Sequence, residues 1–309
     1  MKYFELLNFG KARLEKAGIE TAEYDARELL SFASEKSLEL LLVMYRDMVP
    51  EKTESLYRLY IDLRSRRYPL QYIMGYAYFF GYKFSVDERV LIPRPETEEV
   101  VLAALKMVEN ESFVRALDLC TGSGCMGISF YLERKKDGLK TELGMADISE
   151  EALEVAGENA ASLICGQHTD FEAKSKSVAG DISEMLREQN VSIINSDIFS
   201  NIHERYDIII SNPPYIKSGD IPGLMPEVKV YEPRLALDGV AENTDGLTFY
   251  EKIIKGASKV LNKNGKICFE IGSDEGEAVR RLLVDNSFDD INVMKDINGR
   301  DRIVTAIVQ

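Results

Sequence analysis

From residue 113 to the end of the chain, short apolar and β-branched runs alternate with stretches that carry apolar residues at helical spacing. Strand candidates lie at 115–119, 142–146, 191–195, 206–211 and 266–271, with helices predicted between them, among them 149–161, 246–261 and 274–286. Alternation of this kind calls for a parallel, doubly wound sheet covered by helices on both faces. The last two strand candidates, 290–295 and 302–308, have no helix between them and are expected to pair antiparallel at one edge. The expectation is an α/β domain with a seven-stranded, mostly parallel sheet. Ligands bind such sheets at the carboxyl ends of the strands, so the residues just after each strand carry the functional information.

After the first strand the chain reads Leu117-Asp118-Leu119-Cys120-Thr121-Gly122-Ser123-Gly124. The two glycines permit a tight turn and close backbone approach to a ligand. The helix that follows offers free N–H groups to an anionic group. Asp147 ends the second strand, where an acid can accept hydrogen bonds from ribose hydroxyls. Loop and acid together fit either a dinucleotide or S-adenosylmethionine. Alone they also fit a plain strand-to-helix turn.

After the fourth strand comes Asn212-Pro213-Pro214-Tyr215. Adjacent prolines fix φ and remove donors, which leaves carbonyls as acceptors in a rigid frame. The Asn212 side chain adds a further acceptor, and Tyr215 adds a flat face. Such a frame suits a planar NH2 group conjugated to a π system. Two acceptors, Asn212 Oδ1 and the Pro213 carbonyl, hold its hydrogens and stabilise positive charge growing on nitrogen. By itself the tetrapeptide is also a strand-ending turn. With the glycine loop and acid upstream, it is similar to the [ND]-P-P-[YF] motif of amino-methyltransferases.

Further motifs follow an order. They are Pro69-Leu70-Gln71-Tyr72-Ile73, then Val90-Leu91-Ile92-Pro93-Arg94-Pro95-Glu96-Thr97-Glu98, Asp197-Ile198-Phe199, Tyr231-Glu232-Pro233, Glu270-Ile271-Gly272, and Asp296 with Gly299 and Arg302. Together, over about residues 60–309, the chain resembles the release-factor glutamine methyltransferases of the PrmC/HemK type. The resemblance implies a Rossmann-like S-adenosylmethionine-dependent methyltransferase domain, a small N-terminal helical bundle and a β-hairpin linker. It implies that S-adenosylmethionine is held by Cys120, Thr121, Gly122, Ser123, Gly124, Asp147, Asp197, Ile198 and Asn212. Asp197 and Ile198 would flank the adenine. It implies that Asn212, Pro213, Pro214 and Tyr215 hold the target amide, the glutamine of the Gly-Gly-Gln loop in class I peptide chain release factors. The family's usual glycine at position 120 is cysteine here. Two alternatives remain: methylation of a glutamine in a ribosomal large-subunit protein, and methylation of an exocyclic adenine amine in DNA or RNA. The 94–98 run and the 296–302 ending favour the release-factor branch.

Residues 1–74 are read as a helical domain that recognises substrate, 75–93 as a hairpin linker and 94–309 as the catalytic domain. Four helical segments are legible before residue 66, punctuated by Gly18, Ser37 and Pro50. From Gly75 to Pro93 the composition turns aromatic and β-branched around Gly81. Of the 38 basic and 52 acidic residues, 13 of each lie in 1–87, so 88–309 carries the entire net charge of −14. That balance argues against a nucleic-acid substrate, whose phosphates call for a basic face. No apolar run approaches the roughly 20 residues of a membrane span, and the N-terminus has no secretory pattern, so a cytoplasmic protein is expected. Four cysteines without a C-x-x-C and only two histidines argue against a zinc site.

Some residues stay open on sequence. Arg94 and Glu96 read either as the substrate mouth or as an ion pair at a helix entry. Arg64, Arg66 and Arg67 read either as a solvated face or as a contact for an acidic protein surface or RNA. Glu232 reads as closing the site or as structural, and His203 as a surface residue. Residues 163–190 read as an insertion with a helix at 182–188.

Overall fold

The computed structural model describes residues 1–166, 178–240 and 245–309. Helices α1 (Tyr3–Lys16), α2 (Ala22–Ser34), α3 (Leu38–Val43), α4 (Glu51–Ser65) and α5 (Leu70–Met74) come first. A hairpin of β1 (Tyr76–Phe79) and β2 (Tyr82–Ser85) follows, then a 3-10 turn at Pro95–Thr97 and α6 (Glu98–Met107). Next come β3 (Phe113–Leu119), α7 (Cys125–Lys136), β4 (Lys140–Asp147), α8 (Glu150–Cys165), α9 (Val178–Glu188), β5 (Val191–Asn195) and β6 (Tyr206–Ser211). The chain ends with α10 (Pro226–Tyr231), α11 (Arg234–Asp238), α12 (Thr248–Val260), β7 (Leu261–Glu270), α13 (Gly276–Asp285), β8 (Phe288–Lys295) and β9 (Asp301–Val308). The helix expected at 182–188 is part of α9, and residues 167–177 of the apparent insertion lie outside the described residues.

Two compact units result. One comprises Met1–Tyr76 together with Leu224–Tyr231, a segment that follows the Asn212-Pro213-Pro214-Tyr215 motif in sequence; the other comprises Ala77–Gly223 and Glu232–Gln309.

In the helical unit, Leu6, Leu14, Ala26, Leu29, Leu30, Tyr57 and Ile61 form the core. Each large side chain buried there is worth about 1.5–3 kcal/mol. Helix α5 is too short for its periodicity to be legible. Pro69 precedes it, and Gly75 ends it in the left-handed conformation. The arginine cluster is not a solvated face. The Arg64 side chain is buried: its Nε donates to Asp25 Oδ2 (2.6 Å) and its Nη1 to Glu227 Oε1 (2.9 Å). Arg67 Nη1 donates to the same Glu227 oxygen (3.0 Å) and its Nη2 to the Gly18 carbonyl (2.9 Å). Only Arg66 is exposed, paired with Asp62. Charge periodicity cannot reveal this, because the two acids that bury Arg64 lie 39 and 163 residues away.

The second unit is built on a sheet of order β5-β4-β3-β6-β7-β9-β8. The first five strands in that order are parallel, and β9 pairs antiparallel with β7 and β8, as the missing helix required. Alternate residues of each strand feed two cores. Ile208 and Ile210 join α6, α7 and α8 on one face, while Ile209 joins α12 and α13 on the other. The hairpin's Phe79 and Phe84 belong to the first of these cores. Ladder pairing ends at Ser85, although the sequence pattern continues to Val90. Val86, Val90 and Ile92 are buried without being strand residues, so their composition reports burial rather than pairing.

Arg64→Ala should cost about 3 kcal/mol or more, because it leaves the buried Asp25 carboxylate without its arginine and Glu227 with Arg67 alone. Arg66→Ala should cost no more than about 1 kcal/mol. Urea unfolding of the two variants beside the parent checks the contrast; equal losses would refute it.

Candidate active site

Register decides which loops meet. Leu119 at the end of β3 pairs with Ser211 at the end of β6 and with Ala146 of β4, and Asp147 pairs with Asn195 of β5. The segments 120–124, 147–149, 196–198 and 212–215 therefore leave the sheet side by side. The strand order reverses between β3 and β6, which opens a crevice there. The Ser211 hydroxyl closes the join by donating to the Leu119 carbonyl (2.6 Å).

Asp118 is the hub beneath the glycine loop. It is fully buried in β3, and its Oδ2 accepts from Thr121 Oγ1 (2.5 Å) and from the Gly127 amide (2.9 Å). Its Oδ1 is buried with no partner among the described residues. Burial pushes the carboxyl up to about 7, against the two hydrogen bonds that pull it down. Gly124 stands at φ +80°, and a Cβ there would sit 2.8 Å from Ile128 Cδ1 and 3.3 Å from Ala156, so the turn admits no side chain. Cys120 adopts φ +60°. That left-handed conformation favours glycine and is strained for cysteine, and burial pushes its thiol pKa up.

Asp147 lies across the loop. Its Oδ2 accepts from the Gly122 amide (2.9 Å) and its Oδ1 from the Ser149 amide (3.0 Å). Two backbone donors thus fix the carboxylate, and a lone pair remains on each oxygen for a ligand. Burial still raises its pKa above the ordinary aspartate value. Asn159 of α8 ties the loop to the hairpin: its Nδ2 donates to the carbonyls of Ser123 (2.9 Å) and Ser85 (3.1 Å), and its Oδ1 accepts from the Ser85 amide (2.8 Å).

These segments line a cavity of ≈ 470 Å³. Cys120, Thr121, Gly122, Ser123, Asp147, Asp197, Ile198, Asn212 and Pro214 all face it. Gly124, Pro213 and Tyr215 are not among its lining residues; Gly124 caps α7, and the Tyr215 hydroxyl is bonded to Glu270 (3.1 Å). The Asn212 side chain makes no hydrogen bond among the described residues. Residues 88–91, Pro93, Arg94, Thr97, 233–236, Phe249 and Lys252 also line the cavity. Arg94 lines it and is paired with Glu232, not with Glu96: its Nη2 lies 2.7 and 2.8 Å from the two Glu232 oxygens. The Glu232 carboxylate is almost wholly buried, and burial raises its pKa despite the arginine. His203 is exposed.

Residues 5–75 match the family model described as the PrmC N-terminal domain, and residues 139–275 match that of the Eco57I restriction-modification methylase. A release factor glutamine methyltransferase of Clostridium acetobutylicum is 36% identical over 283 residues, covering 92% of this chain and 90% of that protein. One of Cereibacter sphaeroides is 36% identical over 307 residues, covering 99% and 98%. The chain belongs to the release factor glutamine methyltransferase family. By that membership it is an enzyme, a glutamine methyltransferase. Among solved structures, the hMettl16 catalytic domain in complex with the MAT2A 3'UTR hairpin 6 shares the fold, with a TM-score of 0.51 at 14% identity over 80% of this chain and 82% of that one.

In this glutamine methyltransferase, sequence reasoning had missed Asp118, Asn159, Thr97 and the Arg94–Glu232 pairing. Asp118 had a signal, an acid inside an otherwise apolar strand. Asn159 had a weaker one, an amide on the buried face of α8. No helix among the described residues is long and apolar enough to cross a membrane.

The Asp118 carboxyl sits near 7 in the fold and at about 4 in an unfolded chain. The fold therefore holds a proton that the unfolded chain gives up first. This stabilisation is complete below about pH 4 and is lost as pH rises through 7. Glu275, also pushed up to about 7 by burial, acts in the same sense. The unfolding temperature should fall between pH 5 and pH 8, and Asp118→Asn should flatten part of that slope. Parallel slopes for parent and variant would refute the assignment.

Proposed function

We propose that this enzyme moves the methyl group of S-adenosylmethionine to the side-chain amide nitrogen of the glutamine in the Gly-Gly-Gln motif of class I peptide chain release factors, in the cytoplasm. The observation that carries the reading is the register of β3 against β6. It sets an uncommitted Asn212 amide and Pro214 beside the glycine loop in one cavity.

The residues present fit the cofactor. A cavity of ≈ 470 Å³ is in the usual size range for such ligands. Asp147, which lines it, has acceptor capacity for ribose hydroxyls. Cys120, Thr121, Gly122, Ser123, Gly124, Asp147, Asp197, Ile198 and Asn212 would hold it. When bound, S-adenosylmethionine supplies an electrophilic methyl group on a positively charged sulfur.

The protein's part is to place a poor nucleophile. An amide nitrogen's lone pair is delocalised into its carbonyl. Asn212 Oδ1 and the Pro213 carbonyl accept the two N–H bonds, turn the lone pair toward the methyl donor and favour the charge that grows on nitrogen. The N-protonated product amide is acidic enough to lose its proton to water. Arg94, anchored by Glu232, stands at the cavity wall where the substrate peptide arrives. The acidic surplus of 88–309 weighs against a nucleic-acid substrate.

Transfer of label from S-adenosylmethionine to a purified class I release factor tests this. Label should appear on the wild-type factor and not on a Gly-Gly-Ala variant or on a DNA and RNA pool. Asn212→Ala should lower turnover by about 10²-fold or more, well beyond any loss of cofactor affinity. Near-normal turnover in that variant would sink the reading.

A further inference from the structure

The motifs Glu270-Ile271-Gly272 and Asp296 through Arg302 converge behind the 212–215 loop. Phe269 of β7 pairs with Ser211 of β6, so Glu270, the last residue of β7, lies beside Asn212 at the strand ends. The Glu270 side chain is 3% exposed. Its Oε2 accepts from Thr97 Oγ1 (2.5 Å) and its Oε1 from the Tyr215 hydroxyl (3.1 Å). Arg302 Nη1 donates to the same Tyr215 oxygen (3.3 Å) and to the Ile271 carbonyl (3.2 Å), and stands 3.8 Å from Glu270 Oε1.

We infer that Glu270 is a positioning residue that acts through the Tyr215 hydroxyl to hold the 212–215 loop in its working shape, an inference that rests on the role proposed above for Asn212. Three features carry it. A buried carboxylate is costly unless its hydrogen bonds are made, and the two short ones here go to hydroxyls rather than to Arg302. One of those hydroxyls belongs to the loop. The Tyr215 hydroxyl uses its donor on Glu270 and an acceptor lone pair on Arg302, which fixes the ring about its own axis. The other end of Tyr215 is fixed as well. Its carbonyl oxygen lies 2.7 Å from where a Cβ on Gly246 would stand, so the loop backbone seats against a residue that must be glycine. Thr97 joins this network to the cavity wall, since it lines the cavity and donates to Glu270. Displacing the Asn212 and Pro213 acceptors by about 1 Å is enough to cost up to 10²-fold in turnover, so the carboxylate's work appears in the chemical step.

The test uses the full chain with Tyr215→Phe, Glu270→Gln and the double variant. Each single change should lower kcat about tenfold, with KM for the release factor and S-adenosylmethionine affinity within about threefold. The double variant should be no slower than the slower single, because both remove one connection. Losses that multiply, that fall on KM alone, or that are absent would overturn the inference. Hydrogen exchange at the Asn212, Tyr215 and Ile216 amides gives a readout that needs no substrate. It should quicken in both singles, and unchanged exchange would overturn the inference whatever the enzyme methylates. Full turnover in Asn212→Ala would instead strike the underlying reading, which separates the two failures.

Discussion

The parallel pairing of β3 with β6 is the constraint on which the site depends. Leu119 opposite Ser211 places Cys120 and Asn212 at adjoining points on one edge, and the Ser211 hydroxyl locks that register to the Leu119 carbonyl. A slip of one residue would turn Ile208, Ile209 and Ile210 to the wrong cores. The hydrophobic effect that holds the sheet together therefore also holds the glycine loop against the Asn212-Pro213-Pro214 turn.

Around that edge the protein buries carboxylates and satisfies them mainly with backbone amides and hydroxyls. Asp118 is held by Thr121 and Gly127, Asp147 by Gly122 and Ser149, and Glu270 by Thr97 and Tyr215. Of these four acids, Glu232 is the one with an arginine within hydrogen-bond distance. Bonds to fixed amides tie a carboxylate to the main chain of a loop, so each acid sets the shape of a particular turn. Burial raises the pKa of all four acids, a cost the surrounding fold must carry. Membership in the release factor glutamine methyltransferases is consistent with this economy, since positioning an amide calls for shape more than for acid or base.

The strands β5 and β6 were legible to the residue, because apolar runs bounded by polar turns carry a local signal. The antiparallel edge was legible from a missing helix. Helix α5 was not, since five residues do not display a period. The stretch after Ser85 read as strand because Val86, Val90 and Ile92 share the composition of strands, while their burial comes from packing. The arginine cluster stays open on sequence for a different reason. Whether a guanidinium is solvated depends on partners such as Asp25 and Glu227, and nothing local to residue 64 names them.

By itself, the sequence determined the class of fold, the strand-to-loop positions of the glycine loop, Asp147 and the Asn212-Pro213-Pro214-Tyr215 motif, and, through ordered motifs, the family. These are written in short-range patterns of hydrophobicity and in backbone chemistry that glycine and proline alone provide. Tertiary structure alone decided that Arg94 takes Glu232 as its partner, that Tyr215 spends its hydroxyl on Glu270, and that Leu224–Tyr231 belongs with the helical unit. Those outcomes turn on which distant charges and hydroxyls are left to satisfy one another once water is excluded, and that is settled only when the chain has closed.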